Sequence, residues 1–299
     1  MAVSDMVSWV IGRGPAALAH LDYNVTEHCN LTCVGCDHDS PAAPPRMVDV
    51  ETFRKDLVAF KSASRVRELR ILGGEPLLHS RLVELLQIAR SVGVADKIVV
   101  FTNGVLLGRA PDGFFDAVDA LYISKYPGVV VGLPRAELVR KSRKHNFKLS
   151  ILNCDTFVER LIDTEITDKA RVARIYQTCT IAKNCHTLHE GRFYKCSVAP
   201  FFARRLTKLG QAVPQDIATD SIAIHGDGGD AARVQAYLKD TTPLAACRWC
   251  LGSTGQEMPN SQARLRPLQR RGDDINPPRF RRARRYAARL TAGVRRALR

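Results

Sequence analysis

Three cysteines stand within eight residues of this chain, as Cys29, Cys33 and Cys36 in a CxxxCxxC spacing. A cubic iron-sulfur cluster normally takes four thiolates, and the next cysteine along the chain is Cys154. The spacing therefore predicts a cluster held at three irons, with the fourth iron open to a small molecule. The alternative is a zinc knuckle completed by His28 or His38, because zinc also binds three cysteines and one histidine.

The sequence after the triplet favours an enzyme over a zinc knuckle. An alternating segment, 66–72, leads into Gly-Gly-Glu-Pro at 73–76, and an apolar run, 97–101, leads into Thr-Asn-Gly at 102–104. Each segment is typical of a strand that ends in a polar loop. A zinc knuckle has no need of such a scaffold.

Strand-like and helical patterns alternate through the first half of the chain. Strands are predicted over 21–26, 66–72, 97–101, 120–123 and 147–152, and helices over 50–61, 82–91 and 135–145. This order predicts an α/β fold, an incomplete barrel of about five parallel strands. Functional residues of such folds lie at the carboxyl ends of strands, where Cys29, Gly73, Glu75, Asn103 and Ser124 all fall.

The CxxxCxxC motif at 29–36 and the GGEP motif at 73–76 resemble the radical S-adenosylmethionine (SAM) superfamily. The resemblance implies a partial (β/α) barrel in which Cys29, Cys33 and Cys36 hold a 4Fe-4S cluster whose open iron chelates SAM. An external reductant such as flavodoxin or ferredoxin then supplies the electron that cleaves SAM to methionine and a 5′-deoxyadenosyl radical.

The same resemblance implies the SAM contacts. Gly73 and Gly74 bring backbone close to the amino acid part of SAM, since glycine permits close approach, and Glu75 accepts from its ammonium group. Further contacts to the ribose or the carboxylate are implied for Asn103, Ser124 and Lys125. One departure concerns Gly35, because the family usually carries an aromatic residue there, near the adenine.

Residues 156–258 hold five more cysteines. A Twitch domain, which binds a second iron-sulfur cluster, expected to be 4Fe-4S, is resembled by Cys179, by a GxxxxC segment that ends at Cys196 and whose Gly191 permits a hairpin turn, and by the CxxC formed by Cys247 and Cys250. An all-cysteine zinc site is the alternative. One thiol is surplus: Cys185 is the simplest choice, and Cys179 and Cys250 remain open. Cys154 is interpreted as a buried structural thiol.

The predicted organisation has four parts: an extension at 1–20, the barrel at 21–155, a small loop-rich Twitch-like domain at 156–258, and a basic tail at 259–299. Residues 264–299 hold 13 arginines against two aspartates, so the tail carries +11 of the net charge of +15. Its near-helical apolar spacing over 277–299 allows an RNA or membrane-surface contact, and a solvated helix is the favoured alternative. Nucleic acid is therefore a secondary hypothesis.

The remaining composition predicts an enzyme of the cytoplasm. The amino terminus has neither a basic start nor a continuous apolar core, so no signal peptide is expected, and reduced thiols suit the cytoplasm. No segment approaches the roughly 20 apolar residues of a membrane helix. We expect no integral membrane contact.

The overall architecture resembles radical SAM enzymes of aminoglycoside assembly, which implies a small carbohydrate substrate, an amino sugar or aminoglycoside. The hypothesis for the reaction is epimerisation, with a cysteine thiol as hydrogen donor. Cys250 is the predicted donor, and Cys179, Cys185, Cys196 and Cys247 are then the ligands of the second cluster; Cys185 is the alternative donor. Asp22, Glu27, Asp37 and Asp39 are candidate substrate carboxylates, and His38 is either a substrate contact or a loop residue.

Other functions remain open. If the substrate radical instead passes an electron to the second cluster, the product is a ketone and the enzyme is an aminocyclitol dehydrogenase. Modification of a peptide is a further alternative, for which we expect a recognition domain of about 80 residues ahead of Cys29. A non-catalytic electron carrier is disfavoured, because it has no use for Glu75 as an acceptor for the SAM ammonium.

Overall fold

The computed structural model describes residues 17–226 and 230–262. Within the first half, strands and helices alternate as the pattern predicts. The elements in order are β1 (Ala17–Thr26), α1 (Val50–Ala63), β2 (Arg65–Gly73), α2 (Leu82–Val92), β3 (Ala95–Thr102), α3 (Phe114–Ala117), β4 (Ala120–Lys125), α4 (Arg135–Lys144) and β5 (Lys148–Asn153).

The second half consists of shorter elements. They are β6 (Thr156–Glu159), α5 (Lys169–Thr178), α6 (Thr180–Asn184), β7 (Thr187–His189), β8 (Arg192–Tyr194), α7 (Phe202–Lys208), β9 (Ser221–Ala223), α8 (Ala231–Lys239) and β10 (Gln256–Pro259). Turns of 3-10 helix fill several connections, including Pro76–Leu78, Ala245–Trp249 and Gly252–Thr254.

One sheet joins the two halves. Its strand order is β5-β4-β3-β2-β1-β7-β8-β9, with β1 to β5 parallel to their neighbours and β7 parallel to β1. Strands β8 and β9 are antiparallel additions. The carboxyl ends of β1 to β5 therefore meet along one edge of the sheet, and this arrangement is a mixed α/β fold of the partial-barrel type.

Local sequence explains the regular elements. Helix α1 begins after Asp49, whose carboxylate accepts from the backbone N–H groups of Glu51 and Thr52 at 3.1 and 2.9 Å, a standard amino-terminal cap. Its apolar positions Phe53 and Phe60 are fully buried. Because side chains alternate along a strand, Leu21, Tyr23 and Val25 of β1 belong to the same core as α1 and α2.

The other face of the sheet is named here the inner face. It is defined by Asp22 of β1, its register partner Arg70 of β2, and the stacked pair Phe101 and Tyr122 of β3 and β4. The inner face thus carries polar and aromatic side chains where the opposite face is packed with aliphatic ones. Asn24 lies two residues beyond Asp22 on the same face.

The elements of the second half pack around a small separate core. It is built on Val198, Phe202, Leu206, Leu244 and Trp249, and the partly buried Cys196, Cys247 and Cys250 contact it. The hairpin predicted at Gly191 is present, between β7 and β8. Glu190 and Gly191 have φ of 50° and 70°, and two successive positive values are what a tight hairpin turn requires.

Two observations concern the predicted domain boundaries, which stay predictions. Strands β7 to β9, beyond residue 156, continue the sheet of the barrel alongside β1. Residue 259, the predicted start of the tail, is the last residue of β10, which pairs with β6. Helical spacing over 277–299 and the extension at 1–16 lie outside the described residues. Within the part of the chain that the structure describes, no helix combines the length and the apolar character needed to cross a bilayer.

Candidate functional site

The CxxxCxxC motif lies in residues 27–39, named here the cysteine loop, directly after β1. The loop that follows β2 is hydrogen bonded to it along the backbone. The Gly74 N–H donates to the carbonyl of Thr26 at 2.8 Å, and the Glu75 N–H donates to the carbonyl of His28 at 3.1 Å. The GGEP loop therefore fixes the first residues of the cysteine loop.

The two glycines of GGEP are required by this contact. A Cβ on Gly73 would lie 2.1 Å from the Thr26 carbonyl oxygen, and a Cβ on Gly74 would lie 1.9 Å from that of His28. No heavy atoms approach so closely without a clash, so backbone must shift if either glycine changes. Gly73 thus approaches the end of β1 and Gly74 approaches the start of the cysteine loop, and the approach of both glycines to SAM stays a prediction.

Glu75 is fully buried at the end of β2. Its carboxylate accepts three hydrogen bonds, from Leu77 N–H at 3.0 Å, Thr102 Oγ1 at 2.7 Å and Asn103 N–H at 2.8 Å. Burial raises the pKa of Glu75, and these three donors oppose the rise. A carboxylate offers about four lone-pair positions, so the glutamate ties the ends of β2 and β3 together with room for one further donor.

Asn103 connects the end of β3 to the first cysteine. Its Nδ2 donates to Asn30 Oδ1 at 2.7 Å and to Cys29 Sγ at 3.6 Å, while its Oδ1 accepts from the Val105 N–H at 3.0 Å. The residue is 5% exposed. Asn103 is therefore beside the cysteine loop, as its position at a strand end predicts.

Ser124, at the end of β4, adjoins the side chains of Tyr126 and Cys154 and lowers the pKa of both, against the rise that burial causes. Burial raises the pKa of Tyr126, and the Cys33 thiol adds to that rise, so this group adjoins the cysteine loop. Cys154 follows β5 and is only half-buried, which corrects its prediction as a buried structural thiol. The strand-end location, rather than core packing, determines its surroundings.

Two residues that sequence reasoning missed come from the far end of the described chain. Gln262 Nε2 donates to Cys33 Sγ at 3.1 Å, and its Oε1 accepts from the Thr32 N–H at 2.8 Å. Met258 lies over Gly35, its Sδ 3.1 Å from where a Cβ would stand. Gly35 has φ of 75°, so a thioether from β10 covers the position where the family usually has an aromatic side chain.

The donor set of the cysteine loop suits a cluster better than one zinc ion. Burial raises the pKa of all three thiols, to about 11 for Cys29, where the thiols of Cys33 and Cys36 add to the rise. A tetrahedral zinc with Zn–S bonds of about 2.3 Å draws its sulfurs to about 3.8 Å apart. Among the described residues, no three thiols have sulfurs all within 4.8 Å of one another. A cube, which takes one thiolate per iron, spaces its ligands more widely.

The second thiol group comes from distant segments of the chain. Its members are Cys179, Cys185, Cys196, Cys247 and Cys250. Burial raises the pKa of Cys196 well above its ordinary value, and the thiols of Cys250 and Cys247 add to the rise. Burial also raises the pKa of Cys250 to about 11, with Cys179 adding to it. Burial raises the pKa of Cys185 to about 11 as well, and its interacting neighbours include Asp22, Arg70 and Cys179. All five thiols therefore lie in one neighbourhood, with Cys185 on the side facing Asp22.

Arg160 joins the second thiol group to the cysteine loop. Its Nε contacts both carboxylate oxygens of Asp37, at 2.8 and 2.9 Å, and its Nη1 donates to the Gly252 carbonyl at 3.1 Å. Arg160 and Asp37 are also electrostatic neighbours of Cys250. Cys250 is thus placed where the second half of the chain meets the cysteine loop.

The four candidate substrate carboxylates have different partners. Asp37 pairs with Arg160, Asp39 lies 3.4 Å from Lys208 Nζ, and Glu27 pairs with Arg204 and with Arg46. Glu27 also belongs to a close group with His189 and Glu190, and Arg46 pairs with Glu190 as well, so guanidinium groups already balance that group. Asp22 and Asp39 each hold a buried oxygen without a hydrogen-bond partner, and Asp22 is the one of the four for which the described residues offer no ion pair.

Burial raises the pKa of Asp22 to about 7, against the opposing effect of the Arg70 guanidinium.

His38, the other open candidate, is a loop residue: its Nδ1 lies 3.2 Å from the Gly73 carbonyl oxygen and its ring packs edge-on against Phe201 at 5.2 Å.

Comparison with known proteins identifies the family of the segment that holds the cysteine loop. Residues 23–168 match the family model described as the radical SAM superfamily. A solved structure, that of BtrN in complex with AdoMet and 2-DOIA, aligns over 78% of this chain and 92% of its own, with 16% sequence identity and a TM-score of 0.44.

Curated relatives share only a segment with this chain. The GTP 3′,8-cyclase of Chlorobaculum tepidum is 40% identical over 94 residues, 31% of this chain and 28% of that protein. The GTP 3′,8-cyclase of Petrotoga mobilis is 28% identical over 156 residues, 50% of this chain and 39% of that protein. The chain thus spans between about a quarter and two fifths of the length of these relatives.

The matched segment contains the end of β1, the cysteine loop, the GGEP loop and β2 to β5. Its family implies a 4Fe-4S cluster and SAM as cofactors, and the three thiols of the cysteine loop suit that cluster. Residues 23–168 of this chain therefore form a radical SAM domain.

Proposed function

We propose that this enzyme acts on a C–H bond of an amino sugar or aminoglycoside in antibiotic biosynthesis, and that it epimerises the carbon with Cys250 as the hydrogen donor. The observation that carries the proposal is the second thiol group. Five thiols share one neighbourhood, whereas a cubic cluster takes four. One thiol therefore remains to react with substrate.

The cysteine loop supplies the first set of ligands in this proposal. Cys29, Cys33 and Cys36 hold the SAM-binding 4Fe-4S cluster, with Gly73, Gly74, Glu75, Asn103 and Ser124 around it. When bound, the cluster and SAM supply abstraction of a hydrogen atom from the substrate, with 5′-deoxyadenosine as the product. The chain positions the substrate and excludes water and oxygen.

Cys250 supplies the second hydrogen in the proposal. Its Sγ accepts from the Gly252 N–H at 3.2 Å, and its pKa, raised to about 11 by burial, keeps the thiol protonated and thus able to give a hydrogen atom. Delivery to the face opposite the abstraction inverts the carbon. One electron from an external reductant such as flavodoxin or ferredoxin and one proton then restore the thiol. Cys179, Cys185, Cys196 and Cys247 hold the second cluster.

A dehydrogenase is the second candidate, and one observation favours it. Cys196, Cys247 and Cys250 interact with one another, and Cys179 interacts with Cys247 and Cys250. If these four thiols are the ligands, Cys185 is the surplus thiol and Cys250 is unable to donate hydrogen. The second cluster then accepts an electron from the substrate, and the product is a ketone.

Mass spectrometry distinguishes the two reactions. The reconstituted protein is incubated without oxygen with SAM, a low-potential reductant and a panel of aminoglycosides that includes neomycin C, in heavy water. We expect a product heavier by one mass unit, formed together with 5′-deoxyadenosine, because the abstracted hydrogen is replaced by a deuterium from a thiol that has exchanged with solvent. A product lighter by two mass units establishes oxidation instead. If the mass of none of the aminoglycosides changes, the proposed substrate class is wrong, and modification of a peptide or RNA becomes the leading hypothesis.

A pair of variants tests the donor. Cys250→Ala is expected to release 5′-deoxyadenosine without forming the epimer, and to keep the iron content of the parent protein. Cys185→Ala is the matched variant, in which we expect iron to fall by about one cluster. A normal epimer yield from Cys250→Ala, or loss of the second cluster in that variant, contradicts the assignment of Cys250.

A further inference from the structure

Two neighbouring side chains on the inner face of β1 each hold a buried oxygen without a partner. Asp22 and Asn24 are both 5% exposed. The Oδ1 atoms of both residues lack a hydrogen-bond partner among the described residues. Buried polar atoms are nearly always hydrogen bonded. His20 Nε2, two residues before Asp22 on the same face, also lacks a partner among the described residues, so three successive positions of this strand face point to a ligand.

The direction of these side chains follows from the strand. Tyr23, between them, donates its hydroxyl hydrogen to Asp56 Oδ2 at 2.7 Å and packs edge-on against Phe53 of α1. Since successive side chains point to opposite faces, Asp22 and Asn24 point away from α1. Both oxygens therefore lie on the inner face, below the cysteine loop.

The orientation of the Asn24 amide is fixed by Thr187 of β7. The Thr187 hydroxyl donates to the Asp22 carbonyl at 3.0 Å, and a hydroxyl has a single hydrogen to give. Thr187 Oγ1 can therefore only accept from Asn24, whose Nδ2 lies 3.5 Å away. The amide nitrogen faces Thr187, and Oδ1 is left as an acceptor.

Two aromatic rings form a wall on the same face of the sheet, on β3 and β4, which lie two and three strands from β1. The rings of Phe101 and Tyr122 are stacked with centroids 4.7 Å apart and planes inclined by 15°. The Arg70 guanidinium lies 5.7 Å from the centroid of Phe101, and both its Nε and its Nη2 donate to Glu68 Oε2, at 3.3 and 3.1 Å. Glu68 thus balances the charge of Arg70, and the carboxylate of Asp22 keeps a free oxygen.

We propose that Asp22 and Asn24, on the same face of the sheet as Phe101 and Tyr122, form a substrate subsite that binds the amine and hydroxyl groups of an amino sugar ring. Residues two apart on a strand are separated by about 6.6 Å, so the pair accepts from two donors on one ring or on adjacent rings. The apolar edge of the ring packs on the aromatic wall. Cys185 is an electrostatic neighbour of Asp22, which places the subsite beside the second thiol group.

The inference rests on the proposed function, and it names a chemistry that relatives acting on GTP do not need. The pKa of Asp22, which burial raises to about 7, falls when an ammonium group binds beside it and rises further beside a phosphate, so the carboxylate is ionised when it holds a cation. The one guanidinium beside it is already paired with Glu68. The subsite therefore selects a cationic or neutral polyol. The Asp22 carboxylate accepts from the ammonium group, and the Asn24 amide oxygen accepts from a hydroxyl group.

The test measures binding and turnover of neomycin C by the reconstituted full-length protein. Asp22→Asn removes the charge and keeps the shape, and we expect Kd and KM for neomycin C to rise about 10- to 100-fold, as for a lost hydrogen bond between charged groups. Asn24→Ala removes a neutral acceptor, and we expect about a 5-fold rise. Asp96→Asn is the control, since Asp96 is an exposed carboxylate at the other end of the sheet.

A second probe separates charge recognition from loss of folding. Neomycin C with its amines acetylated lacks the cations that Asp22 recognises, so the parent protein is expected to prefer the free amine, and Asp22→Asn is expected to lose most of that preference. Unchanged Kd, KM and preference in both variants overturn the subsite while epimerisation by the parent protein still stands. If the parent protein neither binds nor converts any aminoglycoside, the proposed function itself fails, and the subsite with it.

Discussion

The cysteine loop and the second thiol group bring cysteines together in different ways. In the cysteine loop, three thiols stand within eight residues and the neighbouring strand ends hold their backbone through Gly73, Gly74 and Glu75. In the second group, the thiols come from four separate segments and meet around the small core of Phe202, Leu206 and Trp249. The first depends on local spacing and backbone contact, and the second depends on tertiary packing.

This difference predicts how each region fails when it is disturbed. The cysteine loop is attached to the main sheet, so damage there is expected to abolish the chemistry while the second group remains folded. The second group has little sheet of its own, so damage there is expected to disturb packing as well as ligation. Four sets of variants test whether the two regions fail in these different ways, and they follow from the largest expected effect to the smallest.

The largest effect is expected from removing one ligand in each region. Cys33→Ala should abolish 5′-deoxyadenosine formation and lower iron from about eight to about four per chain, since each cube holds four irons. Cys247→Ala should lower iron by the same amount and still form 5′-deoxyadenosine without sugar product. Iron analysis and chromatography of the two variants side by side check both statements. Retained SAM cleavage in Cys33→Ala would remove the cysteine loop from the chemistry.

Glu75→Ala tests the strand-end connection below the cysteine loop. Three donors, Leu77 N–H, Thr102 Oγ1 and Asn103 N–H, lose their acceptor inside the protein, at about 1 kcal/mol or more each. We expect the free energy of unfolding to fall by about 3 kcal/mol, together with SAM cleavage. Denaturant titration measures the first effect and chromatography the second.

The control for Glu75→Ala is Glu84→Ala, at an exposed glutamate of α2 paired with Arg81, for which a change below about 1 kcal/mol is expected. Loss of SAM cleavage in Glu75→Ala without loss of stability would contradict the connecting role and favour a contact to SAM alone.

Arg160→Met tests the connection between the two regions. The substitution keeps an aliphatic stem and removes the bonds to Asp37 and to the Gly252 carbonyl. We expect about 2 kcal/mol of destabilisation, in the range of hydrogen bonds to a charged group, and a lower ratio of sugar product to 5′-deoxyadenosine, because the second thiol group is no longer fixed against the cysteine loop. Hydrogen exchange over 247–253 should increase.

Arg171→Met is the matched control for this prediction, at an exposed arginine of α5, and it should leave both the ratio and the exchange of 247–253 unchanged. An unchanged product ratio in Arg160→Met would show that the two regions hold their relative positions without this arginine.

The smallest effect is expected at Gln262. Its Nε2 donates to Cys33 Sγ, and hydrogen bonds to cluster sulfurs shift the reduction potential. Gln262→Ala should lower the potential of the first cluster by a small amount, with iron content unchanged, because a donor that stabilises negative charge is removed. Spectroscopic redox titration measures it, and Gln256→Ala, at an exposed position of β10, is the control. Equal potentials in both variants would show that the donor does not act on the cluster.

Much of the fold was open to prediction because its pattern is local. Each predicted strand and helix of the first half is present, since period-2 and helical spacings report which side chains face the core. The hairpin at Gly191 was predictable from the glycine itself, which takes a positive φ without steric cost, and its φ is 70°. The pairing of β10 with β6 was not predictable, because it joins residues about 100 positions apart, and no short window carries that signal.

The candidate site divides in the same way. The spacing of Cys29, Cys33 and Cys36, the GGEP motif and the strand-end positions of Asn103 and Ser124 could be read directly. Gln262, Met258 and Arg160 could not, because each reaches the cysteine loop from a part of the chain where nothing nearby in sequence marks it. The sequence made four carboxylates equal candidates. The structure pairs Glu27, Asp37 and Asp39 with cations, and it leaves Asp22 with a buried oxygen that has no partner among the described residues.

The amino-acid sequence by itself determined the radical SAM domain and the thiols available to it, because cluster ligation and strand formation depend on residue types at short, fixed spacings. The tertiary structure alone decided which cysteines of the second half share a neighbourhood, which loop covers Gly35, and which polar atoms of β1 lack partners. These features depend on contacts between segments far apart in the chain, and those contacts exist only after the sheet has brought the segments together.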